Sequence, residues 1–502
     1  MTNKYNSLID FMPFWHFDEN FMVYKDGSLG SAFRLQGVDI SCATDEMIND
    51  FSQSVENFIN SVPEGIKLQI FYRLSSDVLP LIQQHEEISA QSPKVYAPVA
   101  KSRIDMLKNN NNLGNYFCPE IFFFVRSKPH RYKKQSFLQK DRDFEKITYA
   151  DYQRHKDFFL RDLKQIKSSL EHSKLTPRQL EKEEWFKLVY EFINLDRSEK
   201  YPIPMMKDVS SPFAPSIVEQ FVATDMEVQK SCLKIGDYYF RTITLKTLPE
   251  NYTYASLIDG FLKLPFHFWL SQSLTVHEQK KELEKLQLQR RLAHSMAAGA
   301  KHVSDLESES RLGQLEQLIS ELLEGSEKLV SMDFTVIVWS KTTEELEEKC
   351  DEVLKAFRRM GQSEGLVETL PCFDAFIGCL PGPGQGLRYK KLKTSNAVHL
   401  MPLFSYWDGN KRPICLLPNR DNVLVKLDPF AKELISWNGL VFGSSGSGKS
   451  FTLNYLMLQF FAQNPTPKIV WIDNGQSSKG LVESLGGEFI NLDIESKISL
   501  NV

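Results

Sequence analysis

Residues 440–450 read LVFGSSGSGKS and meet the pattern G-x-x-x-x-G-K-[ST] at Gly443, Gly448, Lys449 and Ser450. At ordinary residue frequencies, a chain of this length meets the pattern by chance roughly 2% of the time. The chemistry such a run can do is to hold a phosphate. Glycines let a loop turn its backbone N–H groups inward around an anion, with no side chain in the way. A helix that starts at the loop adds positive potential at the same spot. Lys449 is the candidate for neutralising the β- and γ-phosphates of a nucleoside triphosphate, and is the catalytic candidate. The Ser450 hydroxyl is the candidate magnesium ligand. Ser444, Ser445 and Ser447 keep the loop small and polar. The nucleotide-binding set is Gly443, Ser444, Ser445, Gly446, Ser447, Gly448, Lys449, Ser450 and Phe451, with ATP and magnesium as cofactors. The competing reading is a Gly/Ser loop without a ligand.

The surroundings must position this loop. A short apolar strand, Leu440-Val441-Phe442, is expected to run in. An amphipathic helix carrying Leu453, Leu456, Met457, Phe460 and Phe461 is expected to run out. Residues 468–473 (KIVWID) read as the next strand, ending in Asp473. That acid has two readings. It supports magnesium at the end of a Walker B strand, or it is a strand-end residue capping the next turn. Its place one crossover after the loop suits a second strand, and Asn474 stands where a catalytic Glu is usual. Too few residues follow Asp473 to supply the remaining strands of a nucleotide-binding sheet. The sequence therefore reads as a fragment or a truncated product. Nucleotide binding in the intact protein is expected, and hydrolysis by this chain alone is not.

Upstream, residues 21–39 read as a hairpin turning at Asp26-Gly27-Ser28-Leu29-Gly30. A helix is expected over 45–59, then strands over 67–74 and 120–126. Residues 128–140 are basic, either a solvated loop or a surface for an acidic partner. Helices are expected over 151–172 and 177–194, the second with Pro177 near its start. A strand over 238–245 precedes a charged helical region from 278 to about 329, broken near Ala297-Ala298-Gly299 and read as a packed helical pair or a partner-binding arm. Residues 334–339 form a strand, and a helix capped near Thr342 follows and stops at Gly361. The run PGPGQG at 381–386 is a strong breaker.

The bulk properties bound the rest. The chain has 502 residues, 42% hydrophobic and 25% charged, which suits two or three globular domains. A net charge of −4 argues against a protein that coats nucleic acid. The seven cysteines, Cys42, Cys118, Cys232, Cys350, Cys372, Cys379 and Cys415, show no C-x-x-C pair and read as free thiols. No secretory signal and no apolar run of about 18 residues is present, so a cytoplasmic protein is expected, soluble or peripheral. The aromatic patch around Phe11, Phe14 and Trp15 is either core or a peripheral membrane contact.

Further motifs extend beyond the loop. Residues 472–493 (IDNGQSSKGLVESLGGEFINLD) carry Asp473, Gly475, Ser477 and Leu485-Gly486-Gly487-Glu488-Phe489. Cys379-Leu380-Pro381 and the segment SNAVHLMPLFSYWDGN, with Ala397, Leu400, Met401 and Pro402, lie upstream. In these features the chain resembles the TraC family of conjugative-transfer ATPases, within the VirB/TraC group of type IV secretion motors. The likeness is loose along the chain and tightens after about residue 330. It departs at Val502, where the family has a proline after Asn501.

The resemblance implies an α/β protein. An α+β docking region spans 1–245, and a helical and strand–helix–strand region spans 246–390. The first part of a RecA-like P-loop ATPase domain spans 391–502. It implies a cytoplasmic motor peripheral to the inner membrane, a homo-hexamer working with other type IV secretion components in pilus assembly and substrate transfer. It leaves direct contact with DNA open. The alternatives are a non-hydrolysing scaffold docked on the secretion channel and another P-loop DNA pump. The ABC-transporter signature LSGGQ is absent.

Overall fold

β12, Leu329–Ser340, is buried at every one of its 12 residues. A strand covered on both faces gains nothing from alternating polar and apolar residues, which is why it reads as a continuous run, LVSMDFTVIVWS. Its neighbours follow from the same rule. This computed structural model describes residues 7–40, 43–90, 95–128, 148–207, 214–250, 252–299, 306–463, 468–474 and 476–492. It divides into two compact units, Met1–Leu74 with Pro119–Tyr406 and Ser75–Cys118 with Trp407–Val502.

The first unit is built on one large antiparallel sheet. Its N-terminal strands are β1 (Phe14–Asp18), β2 (Phe21–Tyr24), β3 (Leu29–Gln36), β5 (Lys67–Ser75), β6 (Cys118–Arg126) and β7 (Thr176–Gln179), with β4 (Val38–Asp39) outside the sheet. β8 (Met226–Val228), β9 (Leu233–Ile235), β10 (Tyr238–Thr247) and β11 (Phe268–Val276) lead to β12. β13 (Glu364–Val367) and β14 (Lys390–Lys393) come after it, and β15 (Phe404–Ser405) pairs with β4. The order is β1-β2-β3-β6-β5-β11-β12-β10-β9-β8, with β7 on β3, β13 on β10 and β14 on β12.

The expected hairpin is β2–β3, paired at Met22–Gly30 and Val23–Leu29. The expected strands over 67–74, 120–126, 238–245 and 334–339 are β5, β6, β10 and β12. The dense apolar run near residue 268 is β11, paired with β5 and β12 along its length.

Helices cover this sheet. α1 (Leu8–Phe11) and α2 (Asp45–Ser61) precede β5. α2 begins at Thr44, whose hydroxyl accepts the Met47 N–H at 3.3 Å. Two further helices, α3 (Leu79–Ser89) and α4 (Ala97–Asn112), belong to the second unit. α5 (Tyr149–His172) matches its expected helix, and most of the basic 128–140 run lies outside the described residues.

The helix expected from Pro177 starts later. Thr176–Gln179 is edge strand β7, with Pro177 opposite Leu35 of β3. Proline has no N–H to give and suits an edge. α6 (Lys182–Ile193) starts after Glu181, in a reciprocal capping box with Glu184. α6 carries Trp185 and Phe192 onto the sheet. Phe192 stacks on Trp269 at 4.8 Å and on Phe376 at 4.6 Å, and Trp269 meets Trp339 at 4.6 Å.

The remaining helices of this unit are α7 (Leu195–Lys200), α8 (Ile217–Phe221), α9 (Asp259–Leu262), α10 (Gln279–Gly299), α11 (Leu306–Glu324), α12 (Thr343–Arg359), α13 (Cys372–Gly378) and α14 (Thr394–Val398). α10 and α11 pack together as the expected pair. α12 is capped by Thr342, whose hydroxyl accepts the Glu345 N–H at 3.3 Å.

The PGPGQG run is threaded into the first unit. Trp185 Nε1 donates to Pro381 O at 3.1 Å, and Arg126 Nη1 donates to Pro383 O at 2.9 Å. The Gly382 N–H donates to Gln69 Oε1 at 2.7 Å. Gly382 holds φ at 122°, and a Cβ there would lie 2.6 Å from the Trp185 ring. Only glycine fits both constraints.

Six cysteines, Cys118, Cys232, Cys350, Cys372, Cys379 and Cys415, are free thiols, and Cys42 lies outside the described residues. Among the described residues no helix is long and apolar enough to cross a membrane. Met12 and Phe14 are core residues, while Phe11 and Trp15 are exposed.

Candidate nucleotide site

In the second unit a small hairpin, β16 (Cys415–Pro418) with β17 (Leu424–Leu427), precedes the glycine loop. The loop then opens directly into α15, Lys449–Gln463. Gly446 and Gly448 hold φ at 79° and 88°, the left-handed region that side chains rarely adopt. Nothing lies within 4 Å of a Cβ built on either, so backbone conformation and not crowding calls for glycine there. At Gly443 the reason differs. A Cβ there would sit 2.5 Å from Ser447 Oγ. The Ser447 N–H donates to Ser444 O at 3.2 Å, which closes the turn.

Lys449 Nζ donates to Gly443 O at 2.6 Å and to Ser444 O at 2.7 Å. Its ammonium therefore lies on loop carbonyls, and no carboxylate pairs with it among the described residues. The first turn of α15 carries no acidic residue, so the positive end of the helix is not neutralised there. Ser444, Ser445 and Ser450 are exposed beside it, and Phe451 is 76% exposed. The loop residues fit a phosphate: a small exposed cradle, a cation held at its rim and an uncompensated helix terminus.

Asp473 caps a turn. Its Oδ2 accepts from Ser477 Oγ at 2.9 Å, from the Ser478 N–H at 3.1 Å and from Ser478 Oγ at 3.1 Å. The Ser477 hydrogen bond holds its carboxyl below the usual range. The turn leads into α16, Lys479–Ser484. Asn454, one helical turn after Ser450, donates Nδ2 to Ser477 O at 3.3 Å. That ties the Asp473 turn to the helix leaving the loop. Sequence reasoning missed Asn454. The available signal was its spacing of four from Ser450 on a helix already expected.

The two expected strands do not form. Residues 440–442 and 468–473 carry no strand in the structure. Phe442 is 85% exposed, Val470 89% and Ile472 96%. Strand identity depends on a hydrogen-bonded neighbour, and among the described residues neither segment has one.

Comparison with known proteins bears on both units. The family model described as TraC protein matches residues 160–381, and the one described as TraG P-loop domain matches residues 422–502. The chain joins a TraC-family segment to a TraG-type P-loop domain. The TraC-family segment covers α6, the aromatic stack and strands β8 to β13 of the large sheet, and the glycine loop falls inside the P-loop match.

Among curated proteins, the conjugal transfer protein TrbE of Rhizobium radiobacter is 22% identical, over 96% of this chain and 60% of its own length. A probable conjugal transfer protein TrbE of Sinorhizobium fredii (strain NBRC 101917 / NGR234) is 25% identical, over 58% and 45%. The protein TraC of Escherichia coli (strain K12) is 25% identical, over 66% and 40%. The chain thus spans less than two thirds of the length of each of these relatives. The likeness reaches further toward the N-terminus than the motifs after residue 330 suggested.

Proposed function

We propose that this chain is the nucleotide-binding part of a conjugative-transfer ATPase. One observation carries the reading. In a chain that aligns over 96% of its length with a conjugal transfer protein, the glycine loop opens straight into α15, with the Lys449 ammonium on loop carbonyls. ATP with magnesium is the ligand this site suits. Lys449 exchanges its carbonyl contacts for the β- and γ-phosphates, the loop N–H groups surround them, and Ser450 offers its hydroxyl to magnesium. Asp473 keeps the following turn in place and is the candidate second group toward the metal. In the assembled system, turnover energises pilus assembly and substrate transfer. The protein works with other type IV secretion components, as a homo-hexamer peripheral to the inner membrane on its cytoplasmic side.

The test is equilibrium binding of a labelled ATP analogue to the wild-type chain and to Lys449→Ala. Losing a charge-assisted phosphate contact costs about 1.5–3 kcal/mol of binding. Conjugative transfer by the full-length protein carrying the same change should be lost. Normal transfer by that variant would overturn the motor reading, and equal ATP affinity would overturn the site.

A further inference from the structure

The chain leaves the large sheet after Leu74 and returns to it at Pro119, and the 44 residues between belong to the unit that holds the glycine loop. They are not a surface excursion. Val78 and Ile82, at the start of and within α3, pack with Ile104 and Leu107 of α4, with Tyr116, and with Leu416 and Leu424 of the β16–β17 hairpin. His85 of α3, fully buried, bonds through Nδ1 to the Pro413 carbonyl at 2.7 Å. Arg103 of α4, also buried, donates to the Tyr96 hydroxyl and, at 3.0 Å, to Ser89 Oγ. Buried donors satisfied in this way fix the pair in one arrangement.

α15 rests on this assembly. It packs against α3 and β16. Leu458 meets Tyr96 and Ala100 at the start of α4. Gln459 is fully buried, and its Oε1 accepts the Leu416 N–H of β16 at 3.2 Å. Lys449 and Ser450 open the same helix, roughly 12–15 Å along its axis from Leu458 and Gln459. A helix is a stiff rod over that length, so its seat at Leu458 and Gln459 sets the direction in which its first turn points. Contacts to a phosphate lose strength over displacements of about 1 Å.

We propose that the 75–118 segment is a positioning and coupling element of the nucleotide site. It sets the axis of α15 and so the aim of Lys449 and Ser450. By reciprocity, nucleotide held at the loop stabilises α3 and α4 against opening. This rests on the nucleotide-binding reading above. It gives a role to a segment that carries no recognisable motif and lies more than 300 residues before the loop. It also gives the site a chain-level link to β5 and β6, which are neighbours in the large sheet and flank the segment on either side.

Hydrogen–deuterium exchange of the whole chain, with and without magnesium and a non-hydrolysable ATP analogue, tests it. Nucleotide should slow exchange in α4, Ala97–Asn112, as well as in the loop. Ala100→Leu crowds the contact with Leu458 and should weaken analogue affinity by about fivefold or more. Exchange in β10 and β12 should be unchanged by that substitution. If the wild-type chain binds the analogue but α3 and α4 exchange at the same rate with and without it, the inference is wrong. That holds whether or not Ala100→Leu folds. If direct binding shows that the wild-type chain takes no analogue, the nucleotide reading fails first and this inference with it.

Discussion

Apolar β-forming segments meet two different fates in this molecule. In the large sheet, Phe334 to Trp339 of β12 lie between β10 and β11 and are buried on both faces. Around the glycine loop, Leu440 to Phe442 and Val470 to Ile472 have similar composition, yet they carry no strand and are largely exposed. The side chains are alike. The difference is the presence of hydrogen-bonding neighbours on either side. A run such as FTVIVW or KIVWID specifies a willingness to be a strand, and pairing decides whether it becomes one.

Four changes test that contrast. Trp269→Ala should have the largest effect, because Trp269 joins Phe192, Phe240 and Trp339 in the buried aromatic stack. About 3–5 kcal/mol of stability should be lost by urea denaturation. A loss below about 1 kcal/mol would mean that the stack is not the core of the first unit.

Gly386→Ala comes next. A Cβ there would meet the Asp333 Cβ at 2.1 Å, and crowding of this kind costs about 1–3 kcal/mol. An unchanged unfolding midpoint would show that the strap formed by the PGPGQG run is loose.

Asp333 gives a smaller effect that depends on pH. Its side chain is buried, and burial pushes its carboxyl above the usual range, against the pull of the Arg388 N–H at 2.7 Å and the Thr335 hydroxyl at 2.9 Å. A carboxyl whose pKa is raised by folding keeps a proton in the native state after the unfolded chain has lost its own. Its contribution is therefore full below the ordinary carboxylate value and fades as pH rises through the native value. In that window Asp333 should add a decline of up to about 1.4 kcal/mol per pH unit. Asp333→Asn should remove that slope when midpoints are compared across the acid range, and an unaltered slope would assign the titration elsewhere.

Val470→Ser should have the smallest effect, within about 0.5 kcal/mol, since the side chain is already in water. A loss as large as that of Trp269→Ala would break the contrast between the two regions.

The glycine loop was legible because its requirements are local. Gly446 and Gly448 supply positive φ, and the lysine and hydroxyl follow at fixed spacing. The hairpin at residues 21–36 and the caps at Thr44 and Thr342 were legible for the same reason, since each involves residues within a few positions. Pro177 misled because proline suits both the first turn of a helix and a sheet edge. Only the pairing with Leu35 chose between them. The breaker at 381–386 has turn chemistry that says nothing about Trp185, Gln69 and Arg126, which arrive from more than 190 residues away to hold it.

By itself, then, the sequence determined the phosphate cradle, the helix that leaves it and most segments of the large sheet, because propensity, capping and loop chemistry are properties of neighbours along the chain. Tertiary structure decided the rest. It chose which apolar runs found partners, turned Asp473 into a cap tied to α15 through Asn454, and set the 75–118 helices under that same helix. Those outcomes rest on contacts between residues far apart in sequence, and such contacts leave no periodic trace in either segment alone.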